Sequence, residues 1–300
     1  MTGARQATVM THRRPNETVH ALGVLMDAAR RAGVTLRFDV DETRKHGLEP
    51  ADGIVTDAAV ERAVEVCLVL GGDGSILTAL RAYAGTGVPV FAVNFGHLGF
   101  LATIEPEEMD LDCPRAFTGS FETLPLPAIS LPEGSAEGSN AMNDVSVHRK
   151  PGGRVAQLAY AVDGEEIGRV RCDGLVVATP AGSTGYNLAN GGPILAWGVE
   201  GFVVSFIAPH SLTARALVVA PADVLTVHNR SLEEPVDMSV DGHLAGELGP
   251  GDSIELRFLP GAGLLAQVPG SSFYSRMREK FGRLAGLDGS EAREVPERAP

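Results

Sequence analysis

Asp73 stands among three glycines in GGDGS (71–75), directly after the apolar run VCLVL (66–70) and before an apolar-periodic stretch. Glycines let a backbone approach a ligand closely, and the start of a following helix offers unpaired N–H groups. Gly71, Gly72, Gly74 and Ser75 therefore have the makings of a phosphate-binding turn. Two familiar phosphate signatures are missing, because the turn has neither Gly-Lys-Ser/Thr nor G-x-G-x-x-G spacing. A carboxylate repels phosphate, so Asp73 reads as an acceptor: a general base for a hydroxyl, or an anchor for a sugar. The plain alternative is a tight turn whose Asp caps a helix.

Three further stretches carry polar groups at turns. NFGHLGFL (94–101) could present His97 and Phe100 beside a bent backbone, or be a loop with a buried ring. Asn143-Asp144 places an amide beside a carboxylate, a pairing that suits a sugar diol but is also a common turn. The longest is RCDGLVVATPAGSTGYNLANGGPIL (171–195), a strand followed by a loop of small residues. It offers Ser183, Thr184, Asn187, Asn190 and the ring of Tyr186, and such a loop lets backbone close on a planar ligand; it could also be a glycine-rich crossover. AGSTG (181–185) is one residue short of a nucleophile elbow, with Asp223 or Asp241 and His243 as triad partners. Against this, Ala181 stands where a glycine is needed, and the strand lies in the β-rich half.

Composition narrows the classes. The 300 residues suffice for one large domain or two ordinary ones. A net charge of −13 argues against a nucleic-acid or anionic-membrane binder, while leaving room for a small phosphorylated ligand held by amides and a metal ion. Apolar runs are too short for a membrane span, and the first residues lack a signal-peptide core. Cys67, Cys113 and Cys172 are odd in number and lack metal spacing, which fits a reducing compartment; no His-x-x-x-His pair points to zinc.

The elements that must position these groups fall into two styles. Strands at 7–11, 34–40, 66–70 and 88–95 alternate with helical patterns from Val19 to Gly33, over 57–65 and through Ile76, Leu77, Leu80 and Tyr83. That alternation predicts an α/β domain with a parallel sheet. Residues 124–140 are rich in Pro, Gly and Ser and read as a connection or irregular edge. From 141 to 268 many short strand-like runs predict a β-rich domain, followed by an amphipathic helix at 273–286. The expected division is residues 1–125, 126–270, a C-terminal helix at 271–287 and a disordered tail at 288–300.

GGDGS, NFGHLGFL, AMNDVSV, CDGLVVATPAGSTGYNLANGGPIL and SVDG occur here in an order and spacing that resembles the bacterial NAD kinases, over nearly the whole chain. The glycine-aspartate turn alone is also similar to diacylglycerol, sphingosine and phosphofructokinase-type enzymes; the long loop makes the likeness specific. The resemblance implies a Rossmann-like, phosphofructokinase-like α/β domain with the terminal helix packed back on it. It implies Mg²⁺-dependent transfer of the terminal phosphate of ATP, or polyphosphate, to the adenosine-ribose 2′-hydroxyl of NAD, with Asp73 as general base. Gly71, Gly72, Gly74 and Ser75 would face the phosphates, with Mg²⁺ held mainly through phosphate oxygens. Asn143 and Asp144 would hold the ribose of the nicotinamide half, and Asp173 the nicotinamide amide. Thr184, Gly185, Tyr186, Asn187, Leu188 and Ala189 would wrap the adenine. His97, Phe100, Arg154, Arg171 and His243 fall near expected NAD contacts. A cytoplasmic homodimer or homotetramer, with sites completed across the subunit interface, is implied too. Ser75, Asp144, Gly185 and Ala181 depart from the commoner residues of the family, leaving donor choice and rate open.

Overall fold

The computed structural model describes residues 5–96, 99–132 and 140–282. The N-terminal half runs β1 (Gln6–Thr11), α1 (Val19–Ala32), β2 (Thr35–Arg37), α2 (Val40–His46), β3 (Ile54–Val55), β4 (Val66–Gly71), α3 (Asp73–Ala82), β5 (Pro89–Asn94) and α4 (Met109–Thr118). The remainder is β6 (Glu122–Ser130), β7 (Asn140–Ala141), β8 (Asp144–Arg149), β9 (Ala156–Val162), β10 (Glu165–Cys172), β11 (Gly174–Ala178), α5 (Tyr186–Ala189), β12 (Phe202–Ile207), β13 (Leu217–Val219), β14 (Val224–Asn229), β15 (Val236–Val240), β16 (His243–Leu248), β17 (Ser253–Gln267) and α6 (Phe273–Gly282).

β4 is buried along its whole length because both faces of the sheet are covered. Leu68 and Leu70 face a core with α1 and α4, while Cys67 and Val69 face one with α3 and α6. α1 buries Leu22, Leu25, Ala28 and Ala29 at helical spacing and stops at Gly33, which takes a left-handed φ of 67°. The strand order β5-β4-β1-β2-β3 is parallel throughout, as expected of the α/β half. A third core lies between the antiparallel part of this sheet and a second sheet of order β13-β12-β11-β8-β15-β16.

Four local expectations need correction. Residues 57–65 form no helix. Their alanines and Val60, which is 45% exposed, have too little to bury. The irregular backbone is tied down instead, with Glu61 O accepting from Tyr83 Oη and Ala59 O from Arg37. Residues 34–40 are not one strand: Asp39 caps α2, its Oδ1 accepting from the amides of Asp41 and Glu42 at 2.9 and 2.8 Å. Residues 122–130 are a strand despite Pro125 and Pro127: β6 pairs with β17 from Glu122 to Ser130 but with β7 only at Ile129 and Ser130, so the prolines stand where the strand has a single neighbour, as an edge tolerates. The runs DSIELRFL and LLAQV are one strand, β17, with a register break between Leu259 and Gly263.

That long strand joins the two halves. Its first part pairs antiparallel with β14, while Leu264 and Leu265 pair parallel with Pro89 and Val90 of β5. The boundary expected at 125/126 falls inside β6. α6 lies on the N-terminal half, with Phe273 in the same core as Leu77, Leu80 and Tyr83.

Candidate active site

β4 delivers the chain to Gly71, Gly72 is the N-cap of α3, and Asp73 is its first residue. Asp73 does not cap its own helix. Its Oδ2 accepts from the amide of Phe100 at 3.3 Å and its Oδ1 from the amide of Leu101 at 3.2 Å. Burial raises its pKa above the usual carboxylate range; those two amides and the charges of Arg276 and Lys280 pull it partly back. The Phe100 ring is buried against Phe281, at 5.4 Å between centroids, so this residue meets Asp73 through its backbone. His97 lies outside the described residues.

The glycines of the turn have separate tasks. A Cβ on Gly72 would stand 3.0 Å from Gly96 Cα, and one on Gly71 would collide with the Ser75 side chain. Gly74 has open space where a Cβ would be. That space belongs to a cavity of about 420 Å³ lined by His12, Arg13, Gly72, Gly74, Ser75, Thr78 and His243. His12 and Arg13 were missed from the sequence. They follow β1, the parallel neighbour of β4, and the ends of neighbouring parallel strands share one edge of the sheet. That topology was the available signal. The end of β1 is held by Glu42, which accepts from Thr11 N at 2.8 Å and Thr11 Oγ1 at 2.7 Å and pairs with Lys45 at 2.7 Å.

His243 reaches the cavity from the β15–β16 hairpin. Asp241 and Gly242 form its two-residue turn, both at positive φ (46° and 79°), the geometry that Asp-Gly favours. The Asp241 side chain turns inward and accepts from the amides of Met142, Asn143 and Asp144 at 3.0, 2.7 and 3.1 Å. Arg81, in the last turn of α3, reaches the same carboxylate at 3.6 Å. One hairpin thus ties the Asn143-Asp144 pair to the helix that Asp73 begins. Asp144 is buried, and burial, with the neighbouring Asp241 carboxylate adding to it, pushes its pKa up to about 7.

The small-residue loop packs on Asn143. Thr179 Oγ1 donates to Met142 O at 2.7 Å, and a Cβ on Gly182 would overlap Asn143 O. The Ser183 hydroxyl is fully buried, donating to Pro180 O at 2.7 Å and accepting from Leu195 N at 2.9 Å, so it is no nucleophile and the elbow reading fails. Thr184 Oγ1 and the Asn187 Nδ2 group likewise donate to backbone carbonyls. Leu188 is half-buried, while Gly185, Tyr186 and Ala189 face outward, with Tyr186 stacked on His148 at 5.7 Å.

Asp173, Arg171 and Arg154 lie elsewhere. Asp173 is paired with Arg149 at 2.6 Å, and Arg149, Arg154 and Arg171 line a separate cavity of about 340 Å³. Asp144 pairs with Ala178, five residues along the chain from Asp173, which is about 17 Å of extended strand.

Comparison with known proteins agrees along the chain. Residues 18–121 match the family described as the ATP-NAD kinase N-terminal domain, and residues 142–261 match the ATP-NAD kinase C-terminal domain. The NAD kinase of Gemmatimonas aurantiaca is 34% identical over 276 residues, covering 89% of this chain and 93% of its own. That of Rhodopirellula baltica is 36% identical over 227 residues, covering 74% and 73%. The fold is similar to a yeast NADH kinase crystallised with NADH (TM-score 0.80, 23% identity, 97% of this chain and 90% of that one). It is also similar to an Archaeoglobus fulgidus NAD kinase in complex with ATP (TM-score 0.70, 23% identity, 93% and 98%).

Proposed function

The chain belongs to the NAD kinase family and phosphorylates NAD to NADP, and on that premise we propose the division of labour within its site. The reading is carried by one observation: Gly72, Gly74 and Ser75 of the GGDGS turn line a single cavity with His12, Arg13 and His243, and Asp73 sits in the chain between the two lining glycines. The terminal phosphate of ATP or polyphosphate lies along Gly71, Gly72, Gly74 and Ser75, with Arg13 supplying the charge that a turn lysine supplies elsewhere and His12 beside it as a hydrogen-bonding group.

The adenosine-ribose 2′-hydroxyl attacks the terminal phosphorus in line. An O–P bond forms at the ribose, the bond to the donor's bridging oxygen breaks, and the hydroxyl proton passes to Asp73. A carboxylate has about four lone-pair sites, and the amides of Phe100 and Leu101 occupy two, leaving room for the hydroxyl. Its raised pKa makes it a better base than an exposed Asp.

Mg²⁺ would be held mainly through the donor phosphates, with the Ser75 hydroxyl in the cavity lining at hand. When bound, the ion neutralises phosphate charge. Asn143 and Asp144 hold the nicotinamide ribose, and Tyr186 with its neighbours from Thr184 to Ala189 borders the adenine. The separation of Asp173 from Asp144 within one chain is too long for both to serve one nicotinamide riboside. It supports a homodimer or homotetramer in which a second copy contributes Asp173, with Arg171 and Arg154 nearby. Three buried free cysteines support a reducing, cytoplasmic setting, and no described helix is long and apolar enough to cross a membrane.

The test is NADP formation from NAD or NADH with ATP or polyphosphate and Mg²⁺. Asp73→Asn should keep NAD affinity while turnover falls by about 10²–10⁴-fold, the usual worth of a general base. Wild-type turnover in that variant refutes the base assignment.

A further inference from the structure

The peptide group between Phe100 and Leu101 is gripped on both sides. Its N–H, on Leu101, donates to Asp73 Oδ1 at 3.2 Å. Its carbonyl, on Phe100, accepts from Arg276 Nη1 at 3.1 Å. A peptide unit is planar, with its C=O and N–H pointing in opposite directions, so anchoring the oxygen aims the hydrogen. The same Nη1 also donates to Ala102 O, and the adjacent Phe100 amide takes the other Asp73 oxygen.

Arg276 is itself fixed. Its Nη2 donates to Gln267 Oε1 at 2.6 Å and Ser271 Oγ at 3.1 Å, and its guanidinium lies over the Trp197 ring at 5.5 Å. Trp197 packs against Phe273 at the start of α6. Three segments of the chain, residues 100–102, 267–271 and Trp197, therefore converge on one side chain, and only a planar fork with several donors can serve them together. Through-peptide hydrogen bonds polarise one another, so the cation strengthens the amide that holds the carboxylate.

We propose that Arg276 is a positioning residue for the reaction: it sets the peptides of residues 100–102 so that their amides hold Asp73 in its reactive orientation. The proposal rests on the assignment of Asp73 as the base. Asp73 is faced by the amides of Phe100 and Leu101 and by Arg276 and Lys280; Arg276 in turn lies near Glu105, Glu108 and Glu279, and Lys280 pairs with Glu105 at 3.4 Å. Removing the Arg276 charge therefore leaves the burial of Asp73 less compensated and moves its ionisation to higher pH.

Arg276→Gln and Arg276→Lys are compared with wild type for kcat, KM for NAD, and the pH profile of kcat/KM. In Arg276→Gln, kcat should fall by about 10²-fold, the cost of a small misplacement of a reacting group, with KM for NAD within about threefold. The acid limb of kcat/KM should move up in pH. Arg276→Lys keeps the charge without the fork, so its limb should return towards wild type while kcat recovers only in part. Wild-type kcat in Arg276→Lys overturns the proposal, as does a loss of kcat in Arg276→Gln with an unmoved limb. If Arg276→Gln does not fold, Arg276→Lys still decides through kcat. Asp73→Asn at wild-type turnover overturns both this and the base assignment; an inactive Asp73→Asn with fully active Arg276 variants overturns this alone.

Discussion

Gly72 and Gly96 meet backbone to backbone: a Cβ on Gly72 would lie 3.0 Å from Gly96 Cα, and one on Gly96 would lie 2.8 Å from Gly72 Cα. The turn that starts α3 and the turn that follows β5 are thus locked together. Gly72→Ala or Gly96→Ala should cost about 1–3 kcal/mol through overpacking, read by chemical denaturation. Gly74 faces open space, so Gly74→Ala should leave stability within about 1 kcal/mol of wild type. It should instead raise KM for the phosphoryl donor, because the added methyl enters the cavity.

Asp241 satisfies three amides on another strand, so its loss should be felt well beyond the hairpin. Asp241→Ala leaves those donors and Arg81 without their acceptor and should destabilise by about 3–5 kcal/mol. Asp241→Asn keeps one acceptor oxygen and should cost less. In both variants KM for NAD should rise, since Asn143 and Asp144 lose their support. Thermal unfolding with steady-state kinetics separates the two effects.

Asp144 gives the stability a pH dependence. Its folded-state pKa of about 7 lies above the value near 4 expected in the unfolded chain. Its contribution to stability is therefore complete below about pH 4 and is lost as pH rises through about 7. Asp144→Asn cannot ionise, so its Tm relative to wild type should climb steadily between pH 4 and 8. A constant difference across that range contradicts the buried, protonatable carboxylate.

Arg13 and His12 should matter to one substrate. Arg13→Ala, at an exposed position on the cavity rim, should raise KM for ATP by about tenfold and leave KM for NAD unchanged. The effect should shrink at high salt, as expected of a charge exposed to solvent. Equal effects on both substrates would place the residue elsewhere in the reaction.

Several parts of this protein were legible as sequence. The strand, turn and helix around GGDGS are written in the apolar run 66–70 and the spacing Ile76, Leu77, Leu80, Tyr83, and α1 with its stop at Gly33 is equally local. Local pattern also misled. Residues 57–65 have helical spacing but too little apolar surface to bury, and the prolines of β6 disguise an edge strand.

By itself the sequence determined which segments bend, which bury, and that a lone carboxylate stands in a glycine turn. Only the tertiary structure decided what that carboxylate meets. Arg276 is separated from Phe100 by 176 residues and Asp241 from Asn143 by 98, and no spacing rule spans such distances. Those partners are chosen by strand order: β17 runs beside β5, delivering α6 over the 99–102 loop, and β15 beside β8, delivering Asp241 to the Asn143 amide. Periodicity reports which face of an element is buried; the pairing of the sheets sets what lies against it.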